Sequence, residues 1–415
     1  MQTTAKPATK RRLGNWMPQK EEAAAQARLQ IASAARERER HTPMTRVVRQ
    51  FAELVHSDTV LRMNLSRAID EALGQGFELG YANIDELMSI VDYLASYAPP
   101  FDAQVPIATP LNLVLDWPMC MPSGYAVFRD PAFNAQLRRV LEYWCGFLCG
   151  PHSRTHLTTD APHGWFCEAA QRKMSLADYH CDRSQPHWGF ASWNDFFTRR
   201  LRAGARLVDE PENPAVIVNA CEASPYDVRE DCQLHDRFWV KAQPYSLREI
   251  LAGSETEFVR RFAGGQVYQG YLSAFNYHRW HAPVAGRIVQ AYNVDGTYYS
   301  GLEAEGTDVR GLNDSQGYTS AVAARAVIVI EADSPAIGTV ACVFVGMAEV
   351  SSCRIVASVG QHLAKGDELG FFQYGGSTYC LIFQPNVIRR FVPKPPYRDD
   401  VAPLKVNARL ALASG

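Results

Sequence analysis

From residue 215 to residue 373 the chain is cut into short segments rich in Val, Ile, Tyr and Phe, with Gly, Pro, Asn and Asp between them. This feature narrows the fold most. β-Branched and aromatic residues suit a pleated sheet, and the residues between the segments are turn formers. The predicted strands are Ala215–Asn219, Arg237–Lys241, Gln266–Phe275, Arg287–Val294, Ala326–Glu331, Gly338–Val345, Cys353–Val359 and Leu369–Gln373. Together they read as a mainly antiparallel β domain. Short helical inserts interrupt it around Ser246–Ala252 and Glu255–Phe262. Tyr298–Thr319 is Gly- and acid-rich, a long loop of the kind that carries function or moves.

Upstream the period changes. Val47, Val48, Phe51, Leu54 and Val55 recur at helical spacing after Thr42-Pro43. Asn83 or Asp85 caps a helix carrying Leu87, Ile90, Val91 and Leu94, and Pro131 starts another that Gly150-Pro151 stops. Leu111–Phe128, apolar and interrupted by proline, reads as a buried loop or short strand. Ser192 caps a short helix through Leu201. The expected fold is α+β: a flexible tail at 1–41, a helical domain at 42–190, and a β-rich catalytic domain at 191–415.

Composition excludes several classes. With 47% hydrophobic and 21% charged residues, the 415-residue chain has the make-up of a soluble globular protein. A net charge of -2 gives no reason for a nucleic-acid partner. No apolar run is long enough to span a membrane. The basic first 20 residues lack the apolar core of a signal peptide. Ten scattered cysteines without a C-x-x-C pair indicate free thiols, a reducing, cytoplasmic location and no zinc framework. His152 and His156 lie in a Pro-Ser turn, so no metal site is expected.

The chemistry concentrates in three segments. Gly375-Gly376-Ser377-Thr378 is either a turn between strands or a strained peptide bond whose following Ser can attack it. Tyr277-His278-Arg279-Trp280-His281-Ala282-Pro283 holds two histidines three apart, which a bulge could aim into one cleft. In Asn219-Ala220-Cys221-Glu222-Ala223 the acid Glu222 sits at the end of the apolar run Ala215–Asn219. Acid, His and Ser from separate segments form a possible triad, defined by role and not by order.

Taken with Phe196-Phe197-Thr198-Arg199, Val345-Gly346, Val350-Ser351 and Lys365-Gly366-Asp367-Glu368-Leu369-Gly370, these motifs resemble the phosphatidylserine decarboxylase family of pyruvoyl enzymes over about residues 190–390. The helical domain, with Leu115-Asp116-Trp117-Pro118-Met119, resembles the soluble branch that includes a tryptophan decarboxylase. The resemblance implies that Ser377 attacks the Gly376 carbonyl and becomes a pyruvoyl group, the covalent cofactor. The chain would be cut between 376 and 377 into β and α chains that stay together. His281 matches the family's base for Ser377 and His278 a proton donor beside the pyruvoyl. Glu222 stands in the position of the family's Asp. Asn276 is assigned no role.

The implied reaction is loss of CO2 from an L-amino acid, most readily an aromatic one, through a Schiff base in which the pyruvoyl takes up electrons as pyridoxal phosphate does elsewhere. The alternative substrate is phosphatidylserine, giving phosphatidylethanolamine. A β-rich binding module whose Gly376-Ser377 is a plain turn is the non-enzymatic reading, and it predicts an uncut chain.

Overall fold

The computed structural model describes residues 16–18, 20–103, 108–235, 245–301, 316–349, 352–394 and 402–414. The predicted strand Arg237–Lys241, most of the Tyr298–Thr319 loop, and Val350-Ser351 lie outside these residues.

The helical part begins earlier than expected. Lys20–His41 falls in the expected tail, with a composition that could be helical but a thin apolar stripe; here α1 (Glu21–Glu39) is a regular helix that buries Ala24, Ala27, Ile31, Ala32 and Ala35. It packs on α4 (Ile84–Leu94) and α5 (Pro110–Cys120). An alanine stripe adds little to a hydropathy pattern, yet it allows close helix approach, so the packing is invisible to periodicity. Arg28, also buried, ion-pairs with Glu21, and Arg38 with Asp92. Helices α2 (Arg46–Ser57), α3 (Thr59–Gly74) and α7 (Pro131–Leu148) complete the layer. Their starts follow the expected chemistry. Asn83 accepts from the Glu86 amide at 2.9 Å at the head of α4, and Asp130 from Phe133 at 2.8 Å at the head of α7.

Leu111–Phe128 is helical, not a loop or strand. It forms α5 and α6 (Pro122–Val127). Pro110 and Pro122 sit in the first turn, where a missing N–H costs nothing. Pro118 lies inside α5, which ends two residues later. Every residue of α5 is buried, so it shows no amphipathic stripe to read.

The β part is built on a seven-stranded antiparallel sheet in the order β2-β3-β11-β7-β6-β5-β9. These strands are β2 (Ser224–Cys232), β3 (Gly265–Leu272), β5 (Gly286–Val294), β6 (Arg325–Ala332), β7 (Thr339–Gly346), β9 (His362–Leu363) and β11 (Ser377–Phe383). A three-stranded sheet orders β4 (Arg279–His281), β10 (Glu368–Gln373) and β8 (Ser352–Ile355) as β4-β10-β8. Another orders β1 (Val216–Val218), β13 (Arg409–Ala413) and β12 (Ile388–Phe391) as β1-β13-β12. The two short helical inserts appear as α10 (Leu247–Ile250) and α11 (Thr256–Arg260), after α8 (Glu168–Met174) and α9 (Trp193–Phe197).

Strand β11 went unpredicted, although it lies mid-sheet between β3 and β7. All seven of its residues are buried, so polar and apolar positions do not alternate. The faces separate cleanly in space. Cys380 and Ile382 join the core shared with the helices, whereas Tyr379, Leu381 and Phe383 join the core beneath the two small sheets. By the same alternation Ser377 faces the small-sheet side.

Candidate active site

Strand β10 runs into Tyr374-Gly375-Gly376, and Ser377 opens β11. Gly375 has φ 133°, a backbone that disfavours any side chain. Ser377 is paired with Leu272 on one side and Gly346 on the other. It is fully buried, and its Oγ has no hydrogen-bond partner among the described residues. A buried hydroxyl left unsatisfied costs about 1–3 kcal/mol, which marks the position as special. The Gly376 carbonyl accepts the Met347 N–H at 2.8 Å. Thr378 is tied down instead: its hydroxyl donates to Gly270 O at 2.8 Å and accepts from Gln269 at 3.0 Å.

The family-like motifs meet here in space. Arg199 donates to the carbonyls of Phe275 and Asn276 at 3.0 and 2.9 Å, and its guanidinium lies over Tyr179. Arg279 donates to Thr198 O at 2.7 Å and pairs with Glu368 at 2.5 Å. Asn276 closes the turn after β3, its Oδ1 accepting the Ser273 amide at 2.6 Å.

The two histidines part company. His278 O accepts from the Phe372 amide, near the end of β10 that leads to Ser377. Its ring is fully buried, stacked on Phe197 at 4.1 Å and edge-on to Trp16 at 5.7 Å. Trp16 in turn donates its indole N–H to Leu272 O at 2.8 Å, on the strand partner of Ser377. Neither nitrogen of His278 has a well-formed partner among the described residues. Burial pushes its pKa well down, the Arg199 charge adds to this, and the Asn276 backbone opposes it. The ring is therefore neutral at neutral pH.

His281 pairs with Glu368, at the opposite end of β10. Three residues of strand place it about 10 Å beyond His278 along the chain. Trp280 stacks on Phe344 of the large sheet at 4.1 Å, so the neighbouring His281 points the other way. Its Nδ1 contacts Gly366 O at 2.7 Å and its Nε2 the Tyr277 hydroxyl at 3.0 Å. Burial lowers its pKa, partly offset by the Gly366 carbonyl and by Glu368.

Glu222 does not meet His281. Its Oε2 accepts from Arg206 Nε at 2.8 Å, and Arg206 also holds Asp178 at 2.7 Å. Burial disfavours the Arg206 charge, but the two carboxylates outweigh it and raise its pKa. The segment that carries Glu222 reaches His281 through the backbone, His281 N donating to Ala220 O at 2.9 Å. No hydrogen bond links Ser377, His281 and Glu222 among the described residues. Sequence reasoning passed over Trp16, which packs on His278, Met347, which donates to Gly376 O, and the buried Glu349 two residues after it. A lone acid in the apolar run Val343–Val350 was the available signal for Glu349. A separate cleft of about 640 Å³ lies between α7 and the end of β5, lined by Arg129, Asn134, Arg138, Asp295 and Tyr298.

Comparison with known proteins fits this geometry. Residues 193–397 match the phosphatidylserine decarboxylase family, and residues 45–174 match a second family of that description. The decarboxylase iboD of Amanita muscaria is 38% identical over 305 residues, covering 69% of this chain and 87% of that protein. The L-tryptophan decarboxylase of Psilocybe cubensis is 33% identical over 360 residues, covering 80% of this chain and 79% of that one. This chain belongs to the phosphatidylserine decarboxylase family. As a member of that family it is a carboxy-lyase acting on a small-molecule substrate. A proenzyme of the same family from Schizosaccharomyces pombe, phosphatidylserine decarboxylase proenzyme 3, is 32% identical over 214 residues, 49% of this chain and 20% of its own length. The family's α+β organisation is present, with the helical match and the β-rich match in the expected order. Among the described residues no helix is long and apolar enough to cross a membrane.

Proposed function

We propose that the chain cuts itself between Gly376 and Ser377 and then decarboxylates an aromatic L-amino acid. The observation that carries this reading is the pair at the scissile bond: the buried, unpartnered Ser377 Oγ and the Gly376 carbonyl with the Met347 N–H already on its oxygen. Attack by Oγ on the Gly376 carbon drives charge onto that oxygen, where a preset N–H donor stabilises it. An ester replaces the amide, elimination at residue 377 frees the preceding chain as a carboxylate, and water converts the dehydroalanine left at 377 to a pyruvoyl with release of ammonia.

The base for Ser377 is one of the two histidines. Sequence resemblance assigns it to His281. Burial, open ring nitrogens and position beside the end of β10 favour His278, whose neutral imidazole is the form that accepts a proton. His281, held by Gly366 and Tyr277, then fixes the strand that carries His278.

The buried, unpartnered position 377 fits a pyruvoyl group. A pyruvoyl group held there would supply a carbonyl for the substrate amine and a sink for the electron pair left by CO2. Around it this chain supplies aromatic walls. Phe197 and Trp16 pack on His278, and Tyr374 packs on both of them, with Phe197–Tyr374 at 4.8 Å and Trp16–Tyr374 at 6.2 Å. Such a lining excludes water and accepts a flat apolar side chain. It supports the aromatic substrate class suggested by the name of the Psilocybe relative.

The test is a mass measurement on the purified protein, followed by product analysis with tryptophan, tyrosine and phosphatidylserine. Two fragments split at 376/377, with release of an aromatic amine, are expected. A single uncut chain overturns the self-cleavage. Turnover of phosphatidylserine alone overturns the substrate class.

A further inference from the structure

We infer that Glu349 is the acid that returns a proton to the substrate carbon once CO2 has left. This deepens the function proposed above and rests on it.

Glu349 is fully buried in the turn that follows β7. Ala348, just before it, has φ 52°, a left-handed conformation that costs a non-glycine residue about 1–3 kcal/mol and clusters at functional sites. The Glu349 Oε1 accepts the Asn112 N–H at the head of α5 at 2.9 Å. One oxygen is enough for that cap. The other, Oε2, has no well-formed partner among the described residues.

The turn lies directly against the bond to be cut. Met347 N donates to Gly376 O at 2.8 Å. A methyl group built on Gly376 would come 3.5 Å from Met347 O and 3.8 Å from Ala348 Cβ. The turn that carries Glu349 is thus in contact with Gly376 through Met347 and Ala348, and the carboxyl keeps one oxygen free of the cap.

Its surroundings keep it protonated. Burial raises its pKa to about 8, opposed only in part by the amides of Asn112, Leu111 and Glu349 itself. Among the described residues the titratable groups facing it are the phenols Tyr299 and Tyr374, both pushed up by burial and uncharged. His278 has been pushed the other way and holds no acidic second proton at neutral pH. A neutral carboxyl is a much stronger acid than a neutral imidazole.

The proton balance closes. Loss of CO2 leaves an electron pair on the former α-carbon. The Glu349 O–H bond breaks and a C–H bond forms. The resulting carboxylate takes a proton from solvent before the next turnover. One proton is consumed per ammonium product, as conversion of a zwitterion to an ammonium ion and CO2 requires.

The experiment uses the full chain and Glu349→Gln, which keeps the acceptor for Asn112 but has no acidic proton. Mass measurement should show both proteins cut at 376/377. With tryptophan as substrate, kcat should fall about 10²–10⁴-fold, the span of a general acid. The wild-type activity should decline above pH 8, and that limb should vanish in the variant. Infrared difference spectra of the wild type should lose a protonated-carboxyl band with a midpoint near 8. Wild-type kcat in the variant, an unchanged basic limb, or no such band overturns the inference and leaves Glu349 as a helix cap. An uncut variant beside a cut wild type overturns it too, placing the acid in self-cleavage. An uncut wild type removes the pyruvoyl reading, and this inference with it.

Discussion

Glu222→Gln separates two roles for one acid. Only 12% of the Glu222 side chain and 4% of the Arg206 side chain are exposed, with 2.8 Å between them. Removing one partner of a buried pair costs about 3–5 kcal/mol when the other charge is stranded. Here Asp178 remains on the guanidinium at 2.7 Å, and a glutamine oxygen still accepts a hydrogen bond. Glu222→Gln should therefore cost about 1–2 kcal/mol. Glu222→Ala should cost about 3 kcal/mol, because nothing replaces the acceptor. Arg206→Met strands Glu222 and should cost at least as much. Combining Arg206→Met with Glu222→Gln should cost less than the sum, with a coupling of about 1–3 kcal/mol. Urea unfolding followed by tryptophan fluorescence gives the stabilities, and a denaturing gel reports cleavage. The anchoring role requires that Glu222→Gln still cuts itself. An uncut Glu222→Gln with undiminished stability would refute it and return Glu222 to the side of the histidine.

Ser377→Ala should run at full length on a denaturing gel and release no amine; an active Ser377→Ala would end the mechanism. His278→Ala and His281→Ala divide the two base assignments. A base at 278 leaves His278→Ala uncut, whereas a cut His278→Ala beside an uncut His281→Ala restores the sequence-based order. Gly375→Ala forces a side chain into φ 133°, and should lower stability by about 1–3 kcal/mol and slow cleavage in a pulse-chase. Glu349 holds its proton more tightly in the folded chain, about 8 against 4.5 for a free carboxyl. The folded state then keeps a proton that the unfolded state releases, so its contribution is full below pH 4.5 and is lost as pH rises through 8. Urea midpoints measured across that range should fall less in Glu349→Gln than in the wild type.

Much of the fold was legible in local pattern. β5, β6, β7 and β10 lie where β-branched runs end in turn residues, and α4 and α7 start at their caps. The failures share a cause. Strand β11 and helix α5 are buried on all sides, so neither shows the polar alternation that betrays an element's period. Helix α1 hides its contact face in alanines, and Trp16 reads as a stray aromatic in a basic tail until it is seen against His278.

The chemistry divides along the same line. Sequence alone determined that a Gly-Gly-Ser segment, a two-histidine motif and a family-like frame belong to one chain, because those signals are local strings of residue types. The tertiary structure decided what each of these residues touches. It set His281 against Gly366 and Tyr277, gave Glu222 to Arg206, brought Met347 N–H to the Gly376 oxygen, and buried Glu349 two residues beyond Met347. The physical reason is that the face a strand residue presents depends on the register of its pairing. That register is set by contacts from distant parts of the chain, such as Ser377 with Leu272 and Gly346.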